Sequence, residues 1–77
     1  MSELNRLRWR CRRGLLELDL ALQRFVEAEL DALSAPERLA LAELLDYPDN
    51  ELWDVLSGRR MCEDSRLAPL VMRIRAL

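Results

Sequence analysis

The sequence predicts an all-α fold, a compact antiparallel bundle of five short helices. Leu, Ala, Glu and Arg dominate the composition, Gly occurs only twice, and no run of alternating β-branched residues is present, which argues against a sheet. Apolar residues instead recur at helical spacing between short polar breaks. A chain of 77 residues is long enough for a single core, so residues 1–77 are predicted to form one domain.

The first helix is predicted from Leu4, Leu7 and Cys11, which fall on one narrow apolar stripe. Gly14 is expected to end this helix, because glycine readily adopts the left-handed backbone conformation that closes a helix. We therefore expect a helix–helix corner at Gly14.

The second helix is predicted from about Leu16 to Leu33 and is the longest element. Its acidic residues Glu17 and Asp19 fall in the first turn, where carboxylates complement the positive end of the helix dipole. Its predicted core stripe consists of Leu18, Leu22, Phe25, Val26, Leu30 and Leu33.

The third helix is predicted to begin at Ser34, because Ser34 and Glu37 have the spacing of a capping box. It should turn three leucines inward. These are Leu41, Leu44 and Leu45.

The last two helices follow breaks in the chain. Tyr47-Pro48 should end the third helix, and Asp49 or Asn50 can cap a fourth one that stops at Gly58. A fifth helix, capped by Asp64 or Ser65, is expected to start late or to kink at Pro69. The predicted core residues of the fourth helix are Leu52, Trp53, Val55 and Leu56, and those of the fifth are Leu67, Leu70, Val71, Ile74 and Leu77.

Charge is unevenly distributed along the chain. The net charge is −2 overall, but it is +4 for residues 1–13, −9 for residues 14–58 and +3 for residues 59–77. A nucleic-acid-binding domain is expected to be basic over the whole folded unit, and a long acidic middle repels phosphate. We therefore expect no nucleic-acid binding. The contrary hypothesis would use Arg6, Arg8, Arg10 and Arg12 and predicts salt-sensitive retention on DNA.

The residue types present exclude most catalytic classes. The chain has no histidine, which removes Ser-His-Asp and Cys-His chemistry and any imidazole metal site. No glycine-rich phosphate-binding motif is present. We therefore expect a protein that is not an enzyme and holds no metal.

Cysteine usage and hydropathy predict the cellular compartment of the protein. Cys11 and Cys62 lie far apart and follow no secretory signal, so each is interpreted as a small apolar side chain in a reducing compartment. No stretch approaches the roughly 20 apolar residues that a membrane helix needs. These observations predict a cytoplasmic protein without membrane insertion.

The most specific polar pattern runs from Trp9 to Asp19 and contains Arg13-Gly14-x-x-Glu17. In a continuous helix, Arg13 and Glu17 would form an ordinary surface pair worth a few tenths of a kcal/mol. If Gly14 breaks the helix, both charged groups can instead project from the corner and remain available to a partner. The residues alone leave these two interpretations open.

The pattern Trp9-x-Cys11-Arg12-Arg13-Gly14-x-x-Glu17-Leu18-Asp19 resembles the R-G-x-x-E signature of the small FAD assembly factors of the SdhE type, called succinate dehydrogenase assembly factors in mitochondria. The resemblance extends to several further positions and to the chain length. These positions are Phe25, Leu33, Ser34, Leu44, Leu45, Asp49, Leu52, Trp53, Leu56 and Gly58.

The resemblance implies an assembly factor that binds the flavoprotein subunit of succinate dehydrogenase, and of fumarate reductase in bacteria, and promotes its covalent flavinylation. It implies that FAD is carried by this client and not stably by the factor. The implied client-docking residues are Arg13, Gly14 and Glu17, with Trp9, Arg12 and Asp19 as neighbours. The free chain is expected to be a monomer.

The docking role that the resemblance implies leads to one expectation. Truncating Arg13 or Glu17 should weaken client binding by about 2–5 kcal/mol and leave folding nearly unchanged. The alternative function is an antitoxin-like regulator that binds proteins without a flavin role. A pull-down that recovers membrane or cytoskeletal proteins but no flavoprotein would favour this alternative.

Overall fold

Five α-helices follow one another along the chain, as the sequence predicts. The computed structural model describes residues 2–77, and over that range it contains no strand. The helices are α1 (Glu3–Arg10), α2 (Leu16–Glu29), α3 (Ala35–Leu45), α4 (Asp49–Ser57) and α5 (Ala68–Arg75), and a short 3-10 turn at Leu30–Ala32 extends α2. The prediction of an all-α fold is confirmed.

A single apolar cluster holds the five helices together. α5 packs against α2, α3 and α4, and α1 packs against α3. The stripe predicted for the second helix is buried throughout, and burying a side chain of this size contributes about 1.5–3 kcal/mol. The largest fully buried side chains are Phe25, Leu18, Leu22, Leu30, Leu41, Leu44, Leu52 and Leu67.

The start of α3 is the capping box that the sequence predicts. The Ser34 hydroxyl accepts a hydrogen bond from the Glu37 backbone N–H at 3.3 Å, and the Glu37 carboxylate accepts one from the Ser34 N–H at 2.8 Å. These bonds, with the charge of Arg73 nearby, lower the pKa of Glu37. The box fixes the direction in which α3 leaves the preceding turn.

The first two helices end earlier than predicted. α1 ends at Arg10, with Cys11 as its C-cap, so the prediction that Gly14 directly ends this helix is wrong. α2 ends at Glu29, and the tighter 3-10 turn continues towards Leu33, which is a common way for the last turn of a helix to close.

Three predictions about α4 and α5 are wrong. Asp49 is the first residue of α4 and does not cap it, because its carboxylate binds elsewhere. α5 begins at Ala68 with Leu67 as its N-cap and no side-chain cap, so the prediction that Asp64 or Ser65 caps it is wrong, whereas the late start beside Pro69 is as predicted. Leu77 follows the end of the helix and is 44% exposed, so it is not a core residue.

Candidate functional site

The corner between α1 and α2 consists of residues 11–15, and its sharpest bend is at Gly14. Gly14 has φ +86°, a conformation that residues with a Cβ adopt only with strain. A Cβ built at this position would meet no atom within 4 Å. The corner therefore needs glycine for its backbone conformation and not for space.

The Asp19 side chain closes the corner from the α2 side. One carboxylate oxygen accepts the Arg13 backbone N–H at 2.7 Å, and the other accepts the Gly14 N–H at 3.1 Å. Two consecutive N–H groups that have no helical partner are thus satisfied by one carboxylate. Asp19, predicted as a neighbour of the docking residues, has an internal role in shaping the corner.

The Arg13 side chain braces the corner against the end of α3. Its guanidinium donates to the Leu45 carbonyl oxygen at 2.6 Å, to the Tyr47 carbonyl oxygen at 2.7 Å and to the Asp49 carboxylate at 2.8 Å. The last carbonyls of a helix lack helical partners and carry partial negative charge. Arg13 therefore neutralises the C-terminal end of α3 and links it to the start of α4.

This geometry contradicts the expectation that Arg13 projects outward. Its side chain is only 16% exposed, and each of its three guanidinium nitrogens is hydrogen-bonded within the chain. The reason is that the turn between α3 and α4 brings two carbonyls and a carboxylate together beside it. Removing Arg13 is consequently expected to affect folding, which the sequence did not indicate.

Glu17 differs from Arg13 in that it remains available. It lies in the first turn of α2, it is exposed, and within residues 2–77 its carboxylate makes no hydrogen bond or ion pair. The i,i+4 pair with Arg13 is therefore absent. Glu17 offers an unpaired carboxylate one turn beyond a rigid corner.

Trp9 and Arg12 form a second exposed group at the corner. Trp9 is 67% exposed, which the sequence could not decide. The Arg12 guanidinium lies 5.5 Å from the centre of the Trp9 ring, a cation–π distance. Stacking restricts both side chains, so they form a preorganised amphipathic surface.

Two arginines of α1, Arg8 and Arg10, pair with acids of the same chain. Arg10 binds Asp46 at 2.6 Å, and Arg8 lies 3.7 Å from Asp31. A phosphate backbone would have to compete with these carboxylates for the guanidinium groups. That this chain binds no nucleic acid stays a prediction.

The remaining chemistry at the corner is limited. Burial raises the pKa of the Cys11 thiol to about 11, so Cys11 is protonated and unreactive at neutral pH. Cys11 and Cys62 are unpaired.

No group of three or more possible metal ligands occurs in the described part of the chain. None of the helices described is long and apolar enough to cross a membrane.

Two features of the site escaped prediction from sequence. The Arg13–Asp49 pair joins residues 36 positions apart. The available signal was that Asp49 is one of the positions at which the chain resembles the family. Leu16 and Leu20 are 71% and 49% exposed. Their position outside the apolar core stripe of α2 was the signal in the sequence that they are exposed.

Gly14→Ala tests the backbone argument. We expect it to lower the free energy of unfolding by about 1–2 kcal/mol, because alanine is strained at this φ. Denaturant unfolding of the purified chain measures this loss. Gly14→Asn is the matched control and should lose less, since Asn tolerates the left-handed region. Equal stability of wild type and Gly14→Ala, with equal partner binding, would contradict the role of the bend.

The fold and the corner define a small all-α protein whose most specific polar residues gather at one helix–helix corner. Residues 5–77 match the model of the Sdh5 family, described as "Flavinator of succinate dehydrogenase". The chain belongs to this family.

Curated relatives cover nearly the whole chain. The FAD assembly factor SdhE of Methylococcus capsulatus is 43% identical over 77 residues, which are 100% of this chain and 93% of that protein. The FAD assembly factor SdhE of Xylella fastidiosa is 42% identical over 76 residues, covering 99% of this chain and 78% of the relative. The Coxiella burnetii FAD assembly factor SdhE is 40% identical over 72 residues, covering 94% and 88%. No solved structure matches the chain.

Proposed function

We propose that this chain binds the flavoprotein subunit of succinate dehydrogenase, and that of fumarate reductase, and promotes its covalent flavinylation with FAD. The observation that carries the proposal is the family match over residues 5–77, which includes the whole corner. The unpaired Glu17 carboxylate supports the docking role, because an exposed charge beside a rigid bend can pair with a partner at little cost in side-chain ordering.

The proposed docking residues are Glu17, Trp9 and Arg12 at the surface, with Arg13, Gly14 and Asp19 beneath them. The first three are exposed and can touch a partner. The other three hold the corner through the hydrogen bonds and the positive φ described above. We therefore divide the predicted site into contact residues and positioning residues.

The mechanism we propose is conformational. The chain binds an immature flavoprotein that already holds FAD, and it keeps a mobile part of the client where the acceptor side chain meets the flavin. Positioning of this kind can lower a barrier by up to about 7–11 kcal/mol. We propose that the acceptor is a histidine of the client, as the family resemblance implies, because this chain has no histidine, and that the factor is not itself an enzyme.

We further propose that the chain acts in the cytoplasm, as a monomer when free, and that FAD remains with the client. The unpaired Cys11 and Cys62 support a reducing compartment. A standard interface buries about 800 Å² per partner, about a sixth of the 5048 Å² surface of this chain. One face is thus sufficient for the client.

Deletion of the gene tests the proposed function. Covalently bound flavin is measured on the candidate flavoproteins by fluorescence after denaturing electrophoresis. We expect the flavin signal of the succinate dehydrogenase subunit to fall and to return when the wild-type gene is restored. Normal covalent flavin in the deletion strain would contradict the proposal, and recovery of only non-flavoprotein partners in a pull-down would favour the antitoxin-like alternative.

A further inference from the structure

Two exposed leucines lie beside Glu17 on the outer face of α2. Leu16 is 71% exposed and Leu20 is 49% exposed, and their i,i+4 spacing makes them neighbours on the helix surface. We call this pair the Leu ridge. Further along the same face the helix is polar, since Gln23 donates to the Glu27 carboxylate at 3.2 Å. The Leu ridge is therefore confined to the end of α2 nearest the corner.

Folding of the chain does not account for the Leu ridge. The core face of α2 is supplied by other residues, such as Leu18 and Leu22, which are fully buried. The partly buried hydrophobic residues that pack on the core do not include Leu16 or Leu20. Exposed leucines that are adjacent and border an unpaired charge are a feature of interaction surfaces.

The charge of Glu17 indicates which kind of molecule can cover the Leu ridge. Glu17 borders the Leu ridge and has no partner within residues 2–77, so it is complementary to a cation on the opposing surface. A second copy of this chain would bring its own α2 to the ridge, and α2 carries four carboxylates against one Arg. Two such faces repel each other. The observations favour a different protein that supplies an apolar patch and a cation.

We propose, on the basis of the proposed function, that the client flavoprotein covers the Leu ridge with an apolar patch bordered by an Arg or Lys that pairs with Glu17. The contact surface then extends from the corner along the first turns of α2. Leu16 and Leu20 supply its apolar centre, and Glu17 supplies its charged edge.

The test measures the affinity of the purified chain for the purified flavoprotein subunit of succinate dehydrogenase loaded with noncovalent FAD. Leu16→Ala and Leu20→Ala are each expected to weaken binding about tenfold, which corresponds to about 1.4 kcal/mol. Leu39→Ala is the matched control, because Leu39 is 67% exposed but lies on α3. It should bind like the wild type. Denaturant unfolding should show equal stability for all three variants.

The outcomes separate this inference from the proposed function. If wild type binds the flavoprotein and the two ridge variants bind equally well, the inference is overturned and the proposed function stands. If the wild type does not bind, the proposed function fails. Equal weakening of binding by Leu39→Ala would also overturn the inference. So would self-association of the wild-type chain that Leu16→Ala abolishes, because the Leu ridge would then bind a second copy of this chain.

Discussion

Arg13→Ala is expected to lower the free energy of unfolding by about 3 kcal/mol, because it removes three charge-assisted hydrogen bonds. The Arg13 side chain is 16% exposed, and its guanidinium reaches the Leu45 carbonyl at the end of α3, the Tyr47 carbonyl in the following turn and the Asp49 carboxylate. A domain of this size has a net stability of only about 3–5 kcal/mol from its core. Urea denaturation followed by circular dichroism measures the loss.

Arg12→Ala is the matched control for Arg13→Ala. It removes the same charge from the neighbouring position, but Arg12 is exposed, and within residues 2–77 its side chain interacts only with the Trp9 ring. Its effect on unfolding should stay below about 1 kcal/mol. Equal stability of the Arg13 and Arg12 variants would show that the three hydrogen bonds contribute little.

Because Arg13→Ala lowers stability, the flavinylation measured with Arg13 variants does not by itself test docking. If Arg13→Ala reduces flavinylation of the client, partial unfolding of the corner and loss of a contact with the client could not be told apart. Arg13→Lys does not restore the wild-type arrangement, since an ammonium group lacks the planar fork of donors that reaches three acceptors. Arg13 is thus a positioning residue, and the docking hypothesis must be tested elsewhere.

Glu17→Ala is expected to weaken binding to the flavoprotein by about 2–5 kcal/mol, without changing the stability of the free chain. The carboxylate is exposed and makes no ion pair in the described residues, so its removal breaks nothing within the fold. In the complex, truncation leaves the client's cation without its partner. Calorimetric titration with the purified flavoprotein measures the change.

Glu27→Ala controls for the loss of one negative charge from α2. Glu27 is exposed on the same helix, and in the described part of the chain its carboxylate is hydrogen-bonded only to Gln23. It should bind the client within a few tenths of a kcal/mol of the wild type. Similar weakening by both variants would assign the effect to overall charge, and destabilisation of the free chain by Glu17→Ala would reveal an internal role.

The local features of the fold could be predicted from the sequence because local physics determines them. The apolar stripe of α2 follows from helical periodicity, and the capping box at Ser34 and Glu37 follows from two side chains three residues apart. The positive φ of Gly14 follows in the same way from a glycine between two helical patterns. Each of these depends on neighbours within one or two helical turns.

The bracing of the corner could not be predicted because it depends on how distant helices pack. Arg13 and Asp49 are 36 positions apart, and their meeting requires the turn at the end of α3 to lie against the corner. The same cause explains the wrong prediction for Asp49, since a carboxylate engaged by Arg13 does not cap α4. Of the two charged groups expected to project outward, only the Glu17 carboxylate is exposed and without a partner in the described residues.

The most direct test of the docking corner is the flavin content of the client in a strain that lacks the native gene. The flavoprotein subunit of succinate dehydrogenase is co-expressed with wild type, Glu17→Ala or Glu27→Ala, and covalent flavin is read as in-gel fluorescence at equal client levels. We predict full flavinylation with the wild type and Glu27→Ala and strong loss with Glu17→Ala. Full flavinylation with Glu17→Ala would contradict the claim that this corner holds the client.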